Sequence, residues 1–195
     1  MSKVVVVYHS GYGHTAEQAK AVAAGAGRVP GTQVELIRIE GGEKDFTPVL
    51  AKLEAADAII LGSPTYMGSV SGPFKTFMDA TSKVWGKLND KIAAGFTNSA
   101  SHSGDKLNSL IQLSIFAAQH GMVWVNLGLM PGNNHSKGSP EDLNRLGGFL
   151  GAMAQSPADG GPEVGPTASD KRTAEHLGQR VAEAARRWRI LPLAA

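Results

Sequence analysis

Tyr8-His9-Ser10-Gly11-Tyr12-Gly13-His14-Thr15 lies between the apolar run Val4-Val5-Val6-Val7 and the stretch Ala16-Glu17-Gln18-Ala19-Lys20-Ala21-Val22-Ala23. The consecutive valines read as a buried strand and the alanine-rich stretch as a helix, so the octet is the turn between them. Such a turn collects free backbone N–H groups at the positive end of a helix dipole and is an anion site. The hydroxyls of Ser10, Tyr12 and Thr15 add donors, and Gly11 and Gly13 let the backbone come close. The turn is a candidate cradle for a phosphate carrying roughly −1.5 to −2 charge, although no Lys or Arg stands in it. The plain alternative is a glycine-rich turn with a Ser or Thr cap.

Working outward, residues 33–39, 58–61, 92–97 and 122–126 read as four more strands. Helical patterns fall at 15–25, 47–54, 72–82, 106–120 and 169–189. Strict alternation with continuous apolar strands predicts a parallel sheet covered on both faces. The expectation is a five-stranded, doubly wound α/β/α sandwich of order 2-1-3-4-5, whose ligands sit beyond the carboxyl ends of strands one and three.

Two further loops leave those ends. After the third strand comes Gly62-Ser63-Pro64-Thr65-Tyr66-Met67-Gly68, where Pro64 is expected to stop the strand and the glycines to make a tight turn. Tyr66 and Met67 either meet a flat ring at the crevice or pack beneath the loop. After the fourth strand comes Asn98-Ser99-Ala100-Ser101-His102-Ser103-Gly104, small and polar, able to line a heterocycle edge. Three such loops on one sheet point to a common ligand. Residues 127–168 show no clear periodicity and read as an irregular connection serving as lid, interface or mobile segment. The tail 190–195 is expected to fray.

Composition narrows the classes. At 195 residues the chain reads as one domain with a sizeable core. It has no cysteine, which excludes disulfides, thiol catalysis and thiolate metal sites. Its six histidines show no paired spacing, so no metal site is expected. Net charge is +2 and the pI about 8.9. The single basic cluster, Arg186-Arg187-Trp188-Arg189, reads as a solvated helix face, so no nucleic-acid partner is expected. The chain carries no secretory pattern and no membrane span at the sequence level, so a cytoplasmic location is the expectation. Arg38 and Glu40 on the second strand are expected to face solvent.

Two rival ligand readings exist. Gly11-Tyr12-Gly13-His14-Thr15-Ala16 matches a relaxed dinucleotide fingerprint, with Glu40 as a ribose-binding acid. Against it, Tyr8-His9-Ser10 intervene before the first glycine, and a hydroxyl-rich loop suits one phosphate better. A phosphoacceptor receiver would want carboxylates at the ends of strands one and three, where Tyr8, His9, Gly62 and Ser63 stand instead.

The chain resembles the flavodoxin-like FMN proteins of the NAD(P)H:quinone oxidoreductase type, the WrbA family. The likeness rests on Tyr12-Gly13-His14-Thr15, on Ser63-Pro64-Thr65-Tyr66-Met67-Gly68, on Thr76-Phe77-Met78-Asp79 with Trp85, and on Ala118-Gln119-His120-Gly121-Met122-Val123. It implies that Ser10, Gly11 and Tyr12 to Thr15 hold the FMN phosphate, that Pro64, Thr65, Tyr66, Met67 and Gly68 contact the isoalloxazine, and that Asn98, Ser99, Ala100, Ser101, Ser103 and Gly104 flank the ribityl chain and ring. Tyr12 and Trp85 match positions that border the nicotinamide or quinone, and His120 one at the flavin site that reaches a neighbouring subunit. From residue type alone, Trp85 reads equally as a surface anchor and His120 as a helix C-terminal cap. The third loop is less glycine-rich than the family pattern, and Tyr66-Met67 replace an Arg-Phe pair.

The implied chemistry is FMN-dependent, with NADH or NADPH donating a hydride and a quinone collecting two electrons in alternation. The chain's own residues form no Ser-His-Asp, Cys-His or paired-carboxylate arrangement, which agrees with a cofactor that carries the reaction. The alternatives are a one-electron carrier, against which the slightly basic charge speaks because carriers of this kind are acidic, and a non-catalytic FMN-binding interaction protein. The resemblance also implies a homo-oligomer, a tetramer or dimer, with small molecules rather than nucleic acid or membrane as partners.

Overall fold

The computed structural model describes residues 1–190; the rest of the tail expected to fray lies outside the described residues. Strands β1 (Ser2–His9), β2 (Thr32–Ile39), β3 (Ala58–Tyr66) and β5 (Ile92–Ser99) form a parallel sheet in the order β2-β1-β3-β5, continued by β6 (Val123–Trp124). A two-residue strand, β4 (Ser69–Val70), folds back antiparallel on the end of β3. Helices α1 (His14–Gly27) and α5 (Ala168–Ile190) cover one face. Helices α2 (Thr47–Glu54), α3 (Gly72–Ala80) and α4 (Lys106–Gln119) cover the other. The sandwich and strand order match the sequence expectation.

The period-two geometry of a strand sends successive side chains to opposite faces. In β1, Val5 and Val7 enter the core with Phe74, Phe77, Leu110 and Leu113, while Val4, Val6 and Tyr8 pack against Ala19, Val22, Leu177 and Val181. Both faces are dry along Val4 to Val7, which is why that run is apolar without a break; each buried valine contributes about 1.5–3 kcal/mol. Helices α1 and α5 meet backbone to backbone. A Cβ on Gly25 would collide with the carbonyl of Glu175, and one on Gly178 with that of Val22.

Three sequence expectations need correction. Pro64 does not stop β3, which runs on to Tyr66. Pairing with β1 ends at Tyr8 opposite Gly62, so at Pro64 the strand has a ladder partner only in β5, and a residue without an N–H is tolerated. The third helix ends at Ala80 and tightens into a 3₁₀ turn, Thr81–Val84. The fifth sheet position is filled by two strands. β6 pairs with Ile92 and Ala93, the chain leaves the sheet, and β7 (Ala152–Gln155) returns to pair with Phe96 to Ser99. The segment read as wholly irregular therefore contains a strand. Ala-Met-Ala-Gln has little intrinsic strand preference, and its pairing with β5 imposes the conformation.

Candidate functional site

The octet is a strand-to-helix turn, with Gly13 at the cap of α1 in the left-handed region (φ 91°). That conformation costs an L-residue about 1–2 kcal/mol and costs glycine little. Ser10, buried, accepts from the backbone N–H of Gly13 at 3.1 Å and of Ala16 at 3.2 Å through its hydroxyl. Its own carbonyl accepts from the Arg38 guanidinium at 3.1 Å. The sequence showed no cation in the loop; Arg38 supplies one behind it from β2. Arg38 also pairs with Glu40 at 3.0 Å. Both side chains are exposed, as expected, and Glu40 is held there rather than at a ribose.

The N–H groups of Tyr12, His14 and Thr15 find no acceptor among the described residues, and neither does the nearly buried hydroxyl of Thr15. Three amides and a hydroxyl at the positive end of a helix form a donor set for a doubly charged phosphate. The residues present fit the phosphate of a mononucleotide.

The second loop is a two-residue hairpin turn. Met67 (φ 49°) and Gly68 (φ 76°) are its centre, both in the left-handed region that such turns demand, and Met67 stands fully exposed. Tyr66 points back across the cleft to the first loop, where its phenol oxygen lies against Gly11: a Cβ there would stand 2.5 Å from it. Its ring meets Tyr12 edge to face, with centroids 6.1 Å apart. Burial pushes the Tyr66 phenol pKa up, the neighbouring Tyr12 adds to this, and the Gly11 N–H opposes it. Thr65 lies deeper, its hydroxyl bonded to those of Thr97 and Ser109, each at 2.8 Å.

The third loop is propped by β7 and the residues after it. Gln155 donates to the Ala100 carbonyl at 2.8 Å, the Ser156 N–H to the Ser99 carbonyl at 3.2 Å, and Asn98 to the Ser156 hydroxyl at 2.8 Å. The chain then crosses the first loop, where the His14 imidazole bonds the Gly160 carbonyl at 3.0 Å and Pro162 lies over Gly13.

These elements enclose a cavity of about 340 Å³. Of the residues singled out in the sequence, Ser10, Tyr12, His14, Thr15, Pro64, Thr65, Tyr66, Asn98, Ser99 and Ala100 line it. Gly11 and Gly13 are not among its lining residues; they lie against Tyr66 and Pro162. Ser156, Pro157, Ala158 and Gly160 complete the wall and were missed. The signal was a Ser/Pro/Gly cluster after a strand too short to recognise.

Met67, Gly68, Ser101, Ser103 and Gly104 lie off this wall. Trp85 and His120 are not brought to it either. They line a separate cavity of about 320 Å³ between α3 and α4, which shares no residue with the first. The reason is the length of α4. Its 14 residues span about 21 Å at 1.5 Å each, which carries His120 far from the third loop. There His120 is buried, with Nε2 bonded to the Thr81 hydroxyl at 2.8 Å, its ring 5.4 Å from that of Trp85 and 4.9 Å from that of Phe116. Its Nδ1 has no partner. Desolvation holds its pKa below the ordinary value. Trp85 is exposed.

A doubly wound parallel sheet with an anion-binding first turn and a cleft across the carboxyl ends of β1, β3 and β5 defines a flavodoxin-like, mononucleotide-binding α/β protein. A profile described as NADPH-dependent FMN reductase matches residues 15–135. Flavodoxin FldP of Pseudomonas aeruginosa is 46% identical over 184 residues, 93% of this chain and 96% of that one. An NAD(P)H dehydrogenase (quinone) of Chromohalobacter salexigens is 32% identical over 202 residues, 95% of this chain and 98% of that one. The crystal structure of a flavodoxin, WrbA-like protein from Agrobacterium tumefaciens superposes with a TM-score of 0.74 at 43% identity, covering 96% of this chain and 99% of that one. The chain belongs to the NADPH-dependent FMN reductase family, as a flavodoxin-like FMN oxidoreductase of the WrbA type.

Proposed function

We propose that this protein takes electrons from NADH or NADPH and delivers them in pairs to a quinone or a related acceptor, with FMN bound in the 340 Å³ cleft. The observation that carries the proposal is the rim of the cleft. Tyr12 is 77% exposed and Tyr66, its edge-to-face neighbour, 37% exposed, so one side of the cleft offers a flat aromatic ledge to a second ring system. FMN, when bound, supplies hydride acceptance and two-electron release.

The chain's own residues bind and orient. The amides of Tyr12, His14 and Thr15 with the Thr15 hydroxyl take the phosphate, and Pro64, Thr65, Asn98, Ser99 and Ala100 form the walls. Residues 156–160 shield the phosphate end from water. No side chain is required to act as nucleophile or proton shuttle. The name of the Chromohalobacter relative supports quinone reduction. The pair Trp85 and His120 can border such a cleft only across a subunit boundary, which accords with a homo-oligomer.

The name of the Pseudomonas relative favours a second reading, an FMN electron carrier. Against it stands a net charge of +2, since acidic carriers are steered to basic partners. One experiment separates the two. Purified holoprotein is mixed anaerobically with NADPH or NADH and then with benzoquinone, and the flavin absorbance is followed. Bleaching by the nicotinamide and recovery on adding quinone is expected. A protein that dithionite bleaches but neither nicotinamide can would be a carrier.

A further inference from the structure

Lys106 is the one lysine buried completely among the described residues. It opens α4, directly behind the third loop, and its ammonium donates to the Ser99 hydroxyl and the Ser101 carbonyl, both at 2.7 Å. Its position is unfavourable for a cation on several counts. Water is removed, the helix N-terminus presents its positive end, and Arg145 repels it; only Asp170 offsets these. Desolvation pulls the pKa down to about 8. Arg145 and Asp170 are themselves a buried pair, with the guanidinium donating to both carboxylate oxygens at 2.8 and 2.7 Å. Together the three groups leave one net positive charge behind the loop.

That charge stands one side chain away from the cleft, because Ser99, whose hydroxyl it holds, lines the cavity. No step in the reaction above uses it. The flavin couple FMN + 2e⁻ + H⁺ → FMNH⁻ places one negative charge on a ring that was neutral, and a fixed cation in a low-dielectric wall acts most on charge that develops beside it. We propose that Lys106 is a positioning residue that holds the third loop in shape and, through its charge, makes the cleft bind reduced FMN more tightly than oxidised FMN. This rests on the FMN reading of the cleft.

The charged groups facing Lys106 are Asp170 from α5 and Arg145 from the segment between β6 and β7; Asp105, its neighbour in the chain, stands at the N-cap position of the same helix without a side-chain cap bond. The wild type therefore adds a proton uptake to flavin reduction as pH rises past about 8, and its midpoint potential falls more steeply there.

The test compares the holoprotein with Lys106→Met and Lys106→Arg by redox titration between pH 6.5 and 9.5 and by the dissociation constants of oxidised and reduced FMN. Lys106→Met is expected to lower the preference for reduced FMN about tenfold, a potential about 30 mV more negative for a two-electron couple. It should also remove the steeper decline above pH 8, while Lys106→Arg keeps most of the preference. Equal weakening of both redox forms, with the pH slope unchanged, would overturn the proposal and leave Lys106 as a loop prop. Should Lys106→Met fail to fold, Lys106→Gln enters the same comparison, and equal weakening of both redox forms again overturns the proposal. A wild type that binds no FMN would refute the FMN reading first, before any variant is compared.

Discussion

Gly11 and Tyr66 bring the first and second loops of the cleft together: a Cβ on Gly11 would stand 2.5 Å from the phenol oxygen of Tyr66, and the Gly11 amide opposes the rise in that phenol's pKa. The phosphate end of the cleft thus packs against the ring end. Tyr66→Phe keeps the ring and removes the oxygen beside the Gly11 amide, an effect of about 0.5–1.5 kcal/mol. FMN affinity is expected to fall roughly three- to tenfold. Fluorescence titration of the apoprotein checks this, and an unchanged dissociation constant would show that the contact does not shape the cleft.

Ser10 and Thr15 stand close in sequence and do different work. The Ser10 hydroxyl is spent on the Gly13 and Ala16 amides, while that of Thr15 has no partner among the described residues. Ser10→Ala should cost the apoprotein about 1 kcal/mol as a lost helix cap. Thr15→Val should leave apoprotein stability nearly unchanged and weaken FMN about tenfold, with a smaller effect on riboflavin, which lacks the phosphate. Parallel thermal melts and ligand titrations separate the two roles; equal losses for FMN and riboflavin in Thr15→Val would place the phosphate elsewhere.

Asp170 accepts from Arg145 twice and from the Gln155 N–H at 3.0 Å, and Gln155 in turn props the third loop at Ala100. Asp170→Asn leaves a buried guanidinium without its counter-charge, which costs about 3–5 kcal/mol. For a chain of this size that is a fall of roughly 10 °C in melting temperature. FMN binding should weaken as well, since the loop loses its support. A melt within 2 °C of wild type would show that water replaces the pair at no penalty.

The histidines set an acid limit. Desolvation holds His120 and His176 below the ordinary 6.5, so the unfolded chain binds protons that the folded one does not. Stability is then fully present above about pH 6.5 and declines as pH falls towards the depressed folded values. His120→Gln should flatten the dependence of the urea midpoint between pH 7 and 5. A variant curve parallel to wild type would mean that His120 does not contribute to it.

Much of this was legible in the chain. The valine run, the glycine and hydroxyl pattern of the octet and the strand–helix alternation are local signals, and each follows from one element's own periodicity or turn chemistry. The donor-rich turn of the first loop could be read because strand end, turn and helix start are contiguous. Other features had no local signature. Arg38 reaches Ser10 only because β2 lies beside β1. β7 is a strand only because β5 offers it an edge, and with it the wall at residues 156–160 stayed hidden.

What the amino-acid order determined alone is the architecture and the donor-rich turn after its first strand, because both depend on short-range pattern: apolar period, caps, and donors packed into eight residues. The tertiary structure decided which distant segments share a wall. It set Trp85 and His120 in a cavity of their own, because a helix of fixed rise carries its two ends to opposite edges of the sheet. It also buried the charge of Lys106 behind the loop whose Ser99 lines the cleft, since burial is a property of neighbours that sequence spacing does not specify.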